Sequence, residues 1–361
     1  MSYYREDELQ RYYSQILGTE VKIVSVSGLG GEEKAKLKKA GYGIHRVIEV
    51  EFNGTRKKYL IETVAPSQFG HEYMPDRAHV VLTAHATYNR LPLHVRSLDC
   101  GAFMSDGRIV SVGDAEEFFM NVEFVEGTLY KVDLEKISER GSLTNLDEKR
   151  AEKLSDYLVD IHSVKRNEPH LYVKRIRELV GHGECIFGLT DSYPPDFELV
   201  HQVKLSDIEK KCIDWRWKLK NYTHRLCQEH GDYHPWNIFF REGTDLTVFD
   251  RSRGEWGEAA DDVTALTINY VFFSLLKYGK LEGPFEKLYH LFFNNYLEKT
   301  EDEEILKVLQ PFYAWRCLVI ANPIWYPDLS KDTRLKLFNF IYNVLDTETF
   351  NPKEVNSYLR A

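Results

Sequence analysis

The chain has 361 residues, enough for two domains with a substantial core. Its net charge of −9 argues against a general nucleic-acid binder, which would be basic, and no apolar run approaches the ~18 residues of a membrane span. Five dispersed cysteines without a CxxC pair suit reduced thiols rather than a disulfide framework, and the polar Met1–Asp7 segment shows no signal peptide, so the expectation is a cytoplasmic protein without nucleic-acid or membrane partners, its oligomeric state left open.

Residues 1–20 predict an amphipathic helix, with Leu9, Tyr12, Tyr13, Ile16 and Leu17 at helical spacing. Val21–Val26 is β-branched and alternating, and reads as a strand. Gly28, Gly30 and Gly31 follow, then a Lys-rich segment and Gly41-Tyr42-Gly43. Ile44–Phe52 predicts a second strand, Asn53-Gly54 a hairpin, and Lys57–Val64 a third strand. Pro75–Leu91 predicts a helix and Phe118–Phe124 another strand, which breaks at Val125-Glu126-Gly127. Beyond it the chain reads as mostly helical. Helices are predicted over 146–164, 206–229, 262–278, 285–299, 303–321 and 331–346, punctuated by Pro323, Pro327 and Pro352.

The densest chemical signal is His230-Gly231-Asp232-Tyr233-His234-Pro235-Trp236-Asn237, followed by Val248-Phe249-Asp250. Asp232 can accept a hydroxyl proton. Asn237 offers an amide oxygen and Asp250, at the end of the apolar run Leu246–Phe249, a carboxylate. Magnesium is a hard cation that prefers such oxygen donors and keeps several waters. A transferring phosphoryl group carries dispersed negative charge, so positioning and charge neutralisation are what its catalysis needs. Two other readings compete. The segment could be a hydrogen-bonded turn without chemistry. Alternatively His230, Asp232 and His234 could ligate a transition metal, which leaves Asn237 and Asp250 unexplained.

Protein kinases use a catalytic loop H-R-D-x-x-x-x-N followed by a metal-binding Asp. With Gly231 in place of that Arg, H-G-D-x-H-x-x-N resembles the aminoglycoside phosphotransferase and choline kinase-like family of small-molecule kinases. Gly257-Glu258-Ala259-Ala260-Asp261-Asp262 loosely matches that family's Gly-Asp-Pro-x-x-Asp, and Leu158–His162 its Leu-x-x-Leu-His. The resemblance implies an α+β, bilobal protein-kinase-like fold. Residues 1–122 would form a small antiparallel-sheet N-lobe, 123–127 a hinge, and 128–361 a helical C-lobe. It implies transfer of the γ-phosphoryl of ATP to a hydroxyl of a small-molecule acceptor, with Mg2+. Asp232 would orient and deprotonate the hydroxyl, His234 support the loop or Asp250, and Asn237 and Asp250 hold the metal. The hinge backbone at Glu123, Phe124 and Val125 would bond adenine, and Gly41 and Gly43 would approach the phosphates. Trp236, Trp256, Trp315, Arg316, Trp325 and Tyr326 are candidates to line the acceptor site.

One departure is prominent. Family members carry a phosphate-gripping Lys on the third strand, paired to a Glu of the next helix. Here Glu62 aligns with that Lys, and the helix offers Arg77. An inverted pair, Glu62 holding Arg77 and Arg77 facing phosphate, is one expectation. Another is that Lys57, Lys58, Arg46 or Arg90 supplies the charge. A third is a pseudokinase, or another nucleotide-dependent transfer on the same fold. Arg251 and Arg253 could pair with carboxylates or contact an anion. Asp261 or Asp262 is expected to accept backbone N–H bonds at the start of its helix.

Overall fold

The computed structural model describes residues 4–28 and 42–361. The chain is α+β and divides into two compact units, Met1–Glu123 and Phe124–Ala361.

In the first unit, α1 (Glu6–Leu17) precedes the antiparallel strands β1 (Lys22–Gly28), β2 (Gly43–Phe52) and β3 (Thr55–Val64), in spatial order β1-β2-β3. Asn53 and Gly54 both have positive φ (50° and 72°), the backbone that a two-residue hairpin needs to match strand twist. Alternation then sorts the side chains. Ile23, Ile48 and Val50 turn toward α1 and bury with Leu9, Tyr12 and Tyr13, while Tyr59 and Ile61 pack against that cluster. His45 and Glu62 are directly opposed across β2 and β3. Helix α2 (Met74–Tyr88) follows, then the short hairpin β4 (Gly101–Phe103) and β5 (Ile109–Ser111).

The strand predicted over 118–124 is not formed. The segment has no ladder, and Phe119 and Phe124 are each 90% exposed. β-propensity alone does not make a strand, because a strand needs a partner for its backbone bonds. Glu123, Phe124 and Val125 accordingly make no backbone hydrogen bond among the described residues.

The second unit opens with β6 (Thr128–Leu129), α3 (Tyr130–Arg140) and α4 (Asn145–His162). Thr144 caps α4, accepting the Asp147 N–H at 3.3 Å while Asp147 bonds the Thr144 N–H in return. After α5 (Pro169–Gly181), α6 (Ile186–Ser192) and α7 (Leu205–Leu219) come β7 (Cys227–Gln228), β8 (Ile238–Phe240), β9 (Leu246–Val248) and β10 (Trp256–Gly257). The helix expected over 206–229 therefore stops at Leu219. Cys227 and Gln228 are instead drawn into a ladder with Gly257 and Trp256.

Helix α8 (Ala259–Tyr278) is buried on every side from Ala259 to Leu275, which marks a central helix rather than an amphipathic surface one. It packs against α9 (Gly283–Thr300), α10 (Gln310–Ala321), α3 and α4. The predicted 303–321 helix is split into a short turn, Glu303–Lys307, and α10, which starts at Gln310 with Pro311 in its first turn. Helices α11 (Lys331–Leu345) and α12 (Val355–Tyr358) close the unit. No helix of the described residues is long and apolar enough to cross a membrane. The five cysteines are buried and unpaired.

Candidate active site

The site is built on the loop 230–237 and the β8–β9 hairpin of the second unit. Gly231 has φ +84°, a conformation that L side chains rarely adopt, which explains a glycine where protein kinases carry arginine. The loop hangs from the start of α8. Buried Asp262 accepts the backbone N–H of His230 at 2.7 Å and of Gly231 at 2.8 Å, and takes a third contact from His162 Nε2 at 3.2 Å. His162 is itself held through Nδ1 by the Tyr296 hydroxyl at 2.8 Å. Burial opposes the charge on Asp262, but the His162 bond and the loop N–H outweigh it and lower its pKa. The expectation that Asp262 accepts N–H bonds holds, with a change of partner: the donors belong to the distant loop, not to its own helix.

Its neighbour Asp261 does different work. It pairs with Arg175 of α5, and with Arg316 of α10 at 2.5 Å. Arg175 also meets Glu229, buried just before the loop, at 2.8 Å. Burial drives the Glu229 carboxyl well above its ordinary range, against the charge of Arg175. Gly257 leaves room for Glu229, since a Cβ there would lie 2.1 Å from its carboxylate.

Asp232 is mostly buried and carries two arginines on Oδ1: Arg316 Nη1 at 2.7 Å and Arg253 Nη1 at 2.8 Å. His234 Nε2 lies 3.5 Å from Oδ2. Burial would raise the Asp232 pKa, but His234, Arg316 and Arg253 reverse this and hold the carboxyl far below the usual range. His234 Nδ1 accepts the Trp236 N–H at 3.2 Å, which caps the turn Pro235–Asn237. Asn237 Nδ2 donates to the Asp232 carbonyl at 3.1 Å and to its Oδ2 at 3.3 Å. With the amide nitrogen so engaged, its oxygen makes no hydrogen bond among the described residues.

The hairpin register places Ile238 opposite Val248, and the Phe249 N–H donates to the Asn237 carbonyl at 3.1 Å. Asp250 therefore follows the residue bonded to Asn237. It has φ +64°, uncommon for a residue with a side chain, is exposed, and makes no hydrogen bond or ion pair among the described residues. An amide oxygen and a carboxylate, neither satisfied by protein donors, form a donor set suited to a hard divalent cation. His230 is less suited to a metal. It is buried, its Nδ1 accepts the Asp232 N–H at 3.3 Å, and burial lowers its pKa. Among the described residues no group of three or more His, Cys, Asp or Glu is arranged to hold an ion.

Of the two arginines near Asp250, Arg253 pairs with the carboxylates of Asp232 (2.8 Å) and Glu184 (3.5 Å), whereas Arg251 is spent on the carbonyls of Glu229 (2.7 Å) and Glu255 (3.2 Å). Trp315 is fully buried under Arg316, its ring centre 3.8 Å from the guanidinium carbon, and half-buried Trp236 meets His234 edge to face. Trp256 instead lies under Arg166, Tyr326 packs on Phe272, and Trp325 is 61% exposed.

In the first unit, Glu62 meets His45 Nε2 at 3.5 Å rather than Arg77. Arg77 donates to the carbonyls of His71 (3.0 Å) and Glu72 (3.1 Å). Gly43 begins β2, and a Cβ there would lie 2.8 Å from the Glu62 carboxylate, so the glycine accommodates this pair. Gly41 lies outside the described residues. Sequence reasoning missed Arg175, Glu229 and Glu184. Arg175 contacts Asp261 across 86 positions of the chain, and nothing local marks it.

No protein-family model matches the chain, and no curated protein does. Solved structures are similar along most of its length. A Plasmodium vivax ethanolamine kinase is 16% identical over 93% of this chain and 80% of its own, with a TM-score of 0.36. An amicoumacin kinase in complex with AMP-PNP, Ca2+ and Ami is 13% identical over 98% of this chain and 97% of its own, at 0.42. A choline kinase from Cryptosporidium parvum Iowa II is 14% identical over 93% and 87%, at 0.32. All three are below 25% identity and a TM-score of 0.5, so the functional reading rests on this chain's own residues.

Proposed function

We propose that the chain is a small-molecule kinase of protein-kinase-like fold, which moves the γ-phosphoryl of ATP to an alcohol in the cytoplasm. The observation that carries this is one hairpin joining three groups: Asn237 is bonded to Asp232, and its carbonyl accepts the N–H of Phe249, the residue before Asp250. Asn237 and Asp250 would hold magnesium, which when bound neutralises phosphate charge. Asp232 orients the acceptor hydroxyl and takes its proton. His234 keeps the loop in register through Trp236 and Asp232. Asp262 fixes the loop backbone from below. Nucleotide contacts are assigned to Gly41, Gly43 and the free backbone of Glu123, Phe124 and Val125. Arg77 would have to leave the His71 and Glu72 carbonyls, which its guanidinium now engages, to reach a phosphate.

The test is calorimetry of ATP with and without magnesium. Wild type should bind ATP in a magnesium-dependent way, and Asp250→Asn should lose that dependence while keeping its melting temperature. Equal magnesium-dependent affinity in the variant would sink the assignment. Glu62, paired to His45 where relatives carry Lys, favours a second reading: nucleotide binding without turnover. Under that reading ATP binds but is never consumed with any acceptor.

A further inference from the structure

The two arginines on Asp232 are not equivalent. Arg316 belongs to the framework: it is buried, pairs also with Asp261 at 2.5 Å, donates to the Gly231 carbonyl at 3.1 Å, and stacks on Trp315. Arg253 is held less firmly. It sits on the bend after Asp250, before Gly254 (φ +98°). Its second carboxylate, Glu184, is exposed and 3.5 Å away, and its bond to the Gly231 carbonyl is a long 3.3 Å. Its ring contact with Trp315 is also longer, at 5.0 Å.

Both guanidiniums keep a buried Nε with no hydrogen-bond partner among the described residues. Buried donors are normally satisfied, so each of these arginines keeps capacity for a further acceptor atom. A cationic alcohol placed against Asp232 would also meet the charge of Arg253. An anionic one would satisfy that charge, and a carboxylate matches the planar fork of a guanidinium.

We propose that the acceptor is a small hydroxy acid whose carboxylate takes Arg253 away from Asp232, so that binding of the correct substrate frees the catalytic carboxylate. This rests on the phosphotransferase reading above. In the step, the acceptor hydroxyl oxygen bonds to the γ-phosphorus of ATP and the bond from that phosphorus to the β–γ bridging oxygen breaks. ADP leaves, and the hydroxyl proton passes to Asp232 and then to water. In the resting arrangement two guanidiniums share its Oδ1; with Arg253 on the substrate carboxylate only Arg316 remains there, and the oxygen is open to the acceptor hydroxyl. Arg253 thus couples recognition to chemistry.

The experiment uses the full chain. Magnesium-dependent ATP binding is measured first, as the separate test of the kinase reading. With AMP-PNP and magnesium saturating, glycerate, threonate and gluconate are then titrated, each against its uncharged polyol (glycerol, threitol, sorbitol) and against choline. At least one hydroxy acid should bind tenfold or more tightly than its polyol, and choline should not bind. Arg253→Gln should erase that preference, and Arg253→Lys should keep part of it. The proposal is overturned if choline binds as well as the acids, if no acid is preferred by wild type, or if folded Arg253→Gln retains the preference. The wild-type comparison decides even if the variant does not fold. If ATP itself fails to bind, the kinase reading falls and takes this proposal with it. If ATP binds and acids are not preferred, only this proposal falls.

Discussion

Glu62 in the first unit and Asp232 in the second are both carboxylates facing a basic side chain, and the two arrangements differ in kind. Glu62 meets one histidine across a ladder, with the side chains 48% and 34% exposed, so water screens the pair. Asp232 is mostly buried and gripped by two arginines, one of which is shared with Asp261, whose other partner Arg175 also holds Glu229. A screened pair can be exchanged at little cost. A buried network cannot lose one member without stranding another charge. Glu62 is thus the exchangeable carboxylate of the two, and Asp232 the one its surroundings cannot easily give up.

The contrast can be broken most directly at Asp232. Asp232→Asn should cost roughly 10²–10⁴-fold in transfer rate, the usual effect of removing a general base, with ATP affinity retained. Turnover at the wild-type rate would leave Asp232 a purely structural role. Next is the anchor below it. Asp262→Ala strands the His230 and Gly231 N–H groups and the His162 ring, and should cost about 3–5 kcal/mol, as breaking a buried pair does. Urea unfolding reads this directly, and a loss under about 1 kcal/mol would place the loop's support elsewhere.

Acid sharpens the comparison further. The folded pKa of Asp232 lies below its unfolded value of about 3.9. Its contribution is therefore present above that value and lost as pH falls toward the folded pKa. The melting-temperature gap between wild type and Asp232→Asn should narrow from pH 5 to pH 3; a constant gap would mean that the carboxylate gains nothing from its arginines. The smallest effect is expected at Glu62. Glu62→Gln should change stability by less than about 1 kcal/mol, the range of exposed pairs. A loss above about 2 kcal/mol would show that the sheet depends on the His45 pair.

Local chemistry made several features legible in the sequence. The Asn53-Gly54 hairpin, the alternation along β2 and β3, and the Asp232–Asn237–Asp250 spacing are all short-range patterns, set by backbone sterics and side-chain periodicity. The 118–124 segment has the residues of a strand and lacks one, because hydrogen-bond partners come from distant chain. The helix over 206–229 fails at its end for the same reason, as Gly257 and Trp256 claim Cys227 and Gln228.

By itself, then, the sequence determined where the oxygen donors Asp232, Asn237 and Asp250 stand along the chain. Their electrostatic state was decided only in three dimensions. Arg253 and Arg316 reach Asp232 from a bend and a helix separated by more than sixty residues, and Asp261 and Asp262, adjacent and chemically alike, are sent to two arginines and to a loop backbone respectively. Side chains on successive positions of a helix point about 100° apart, so only the surroundings of α8 could assign them different partners.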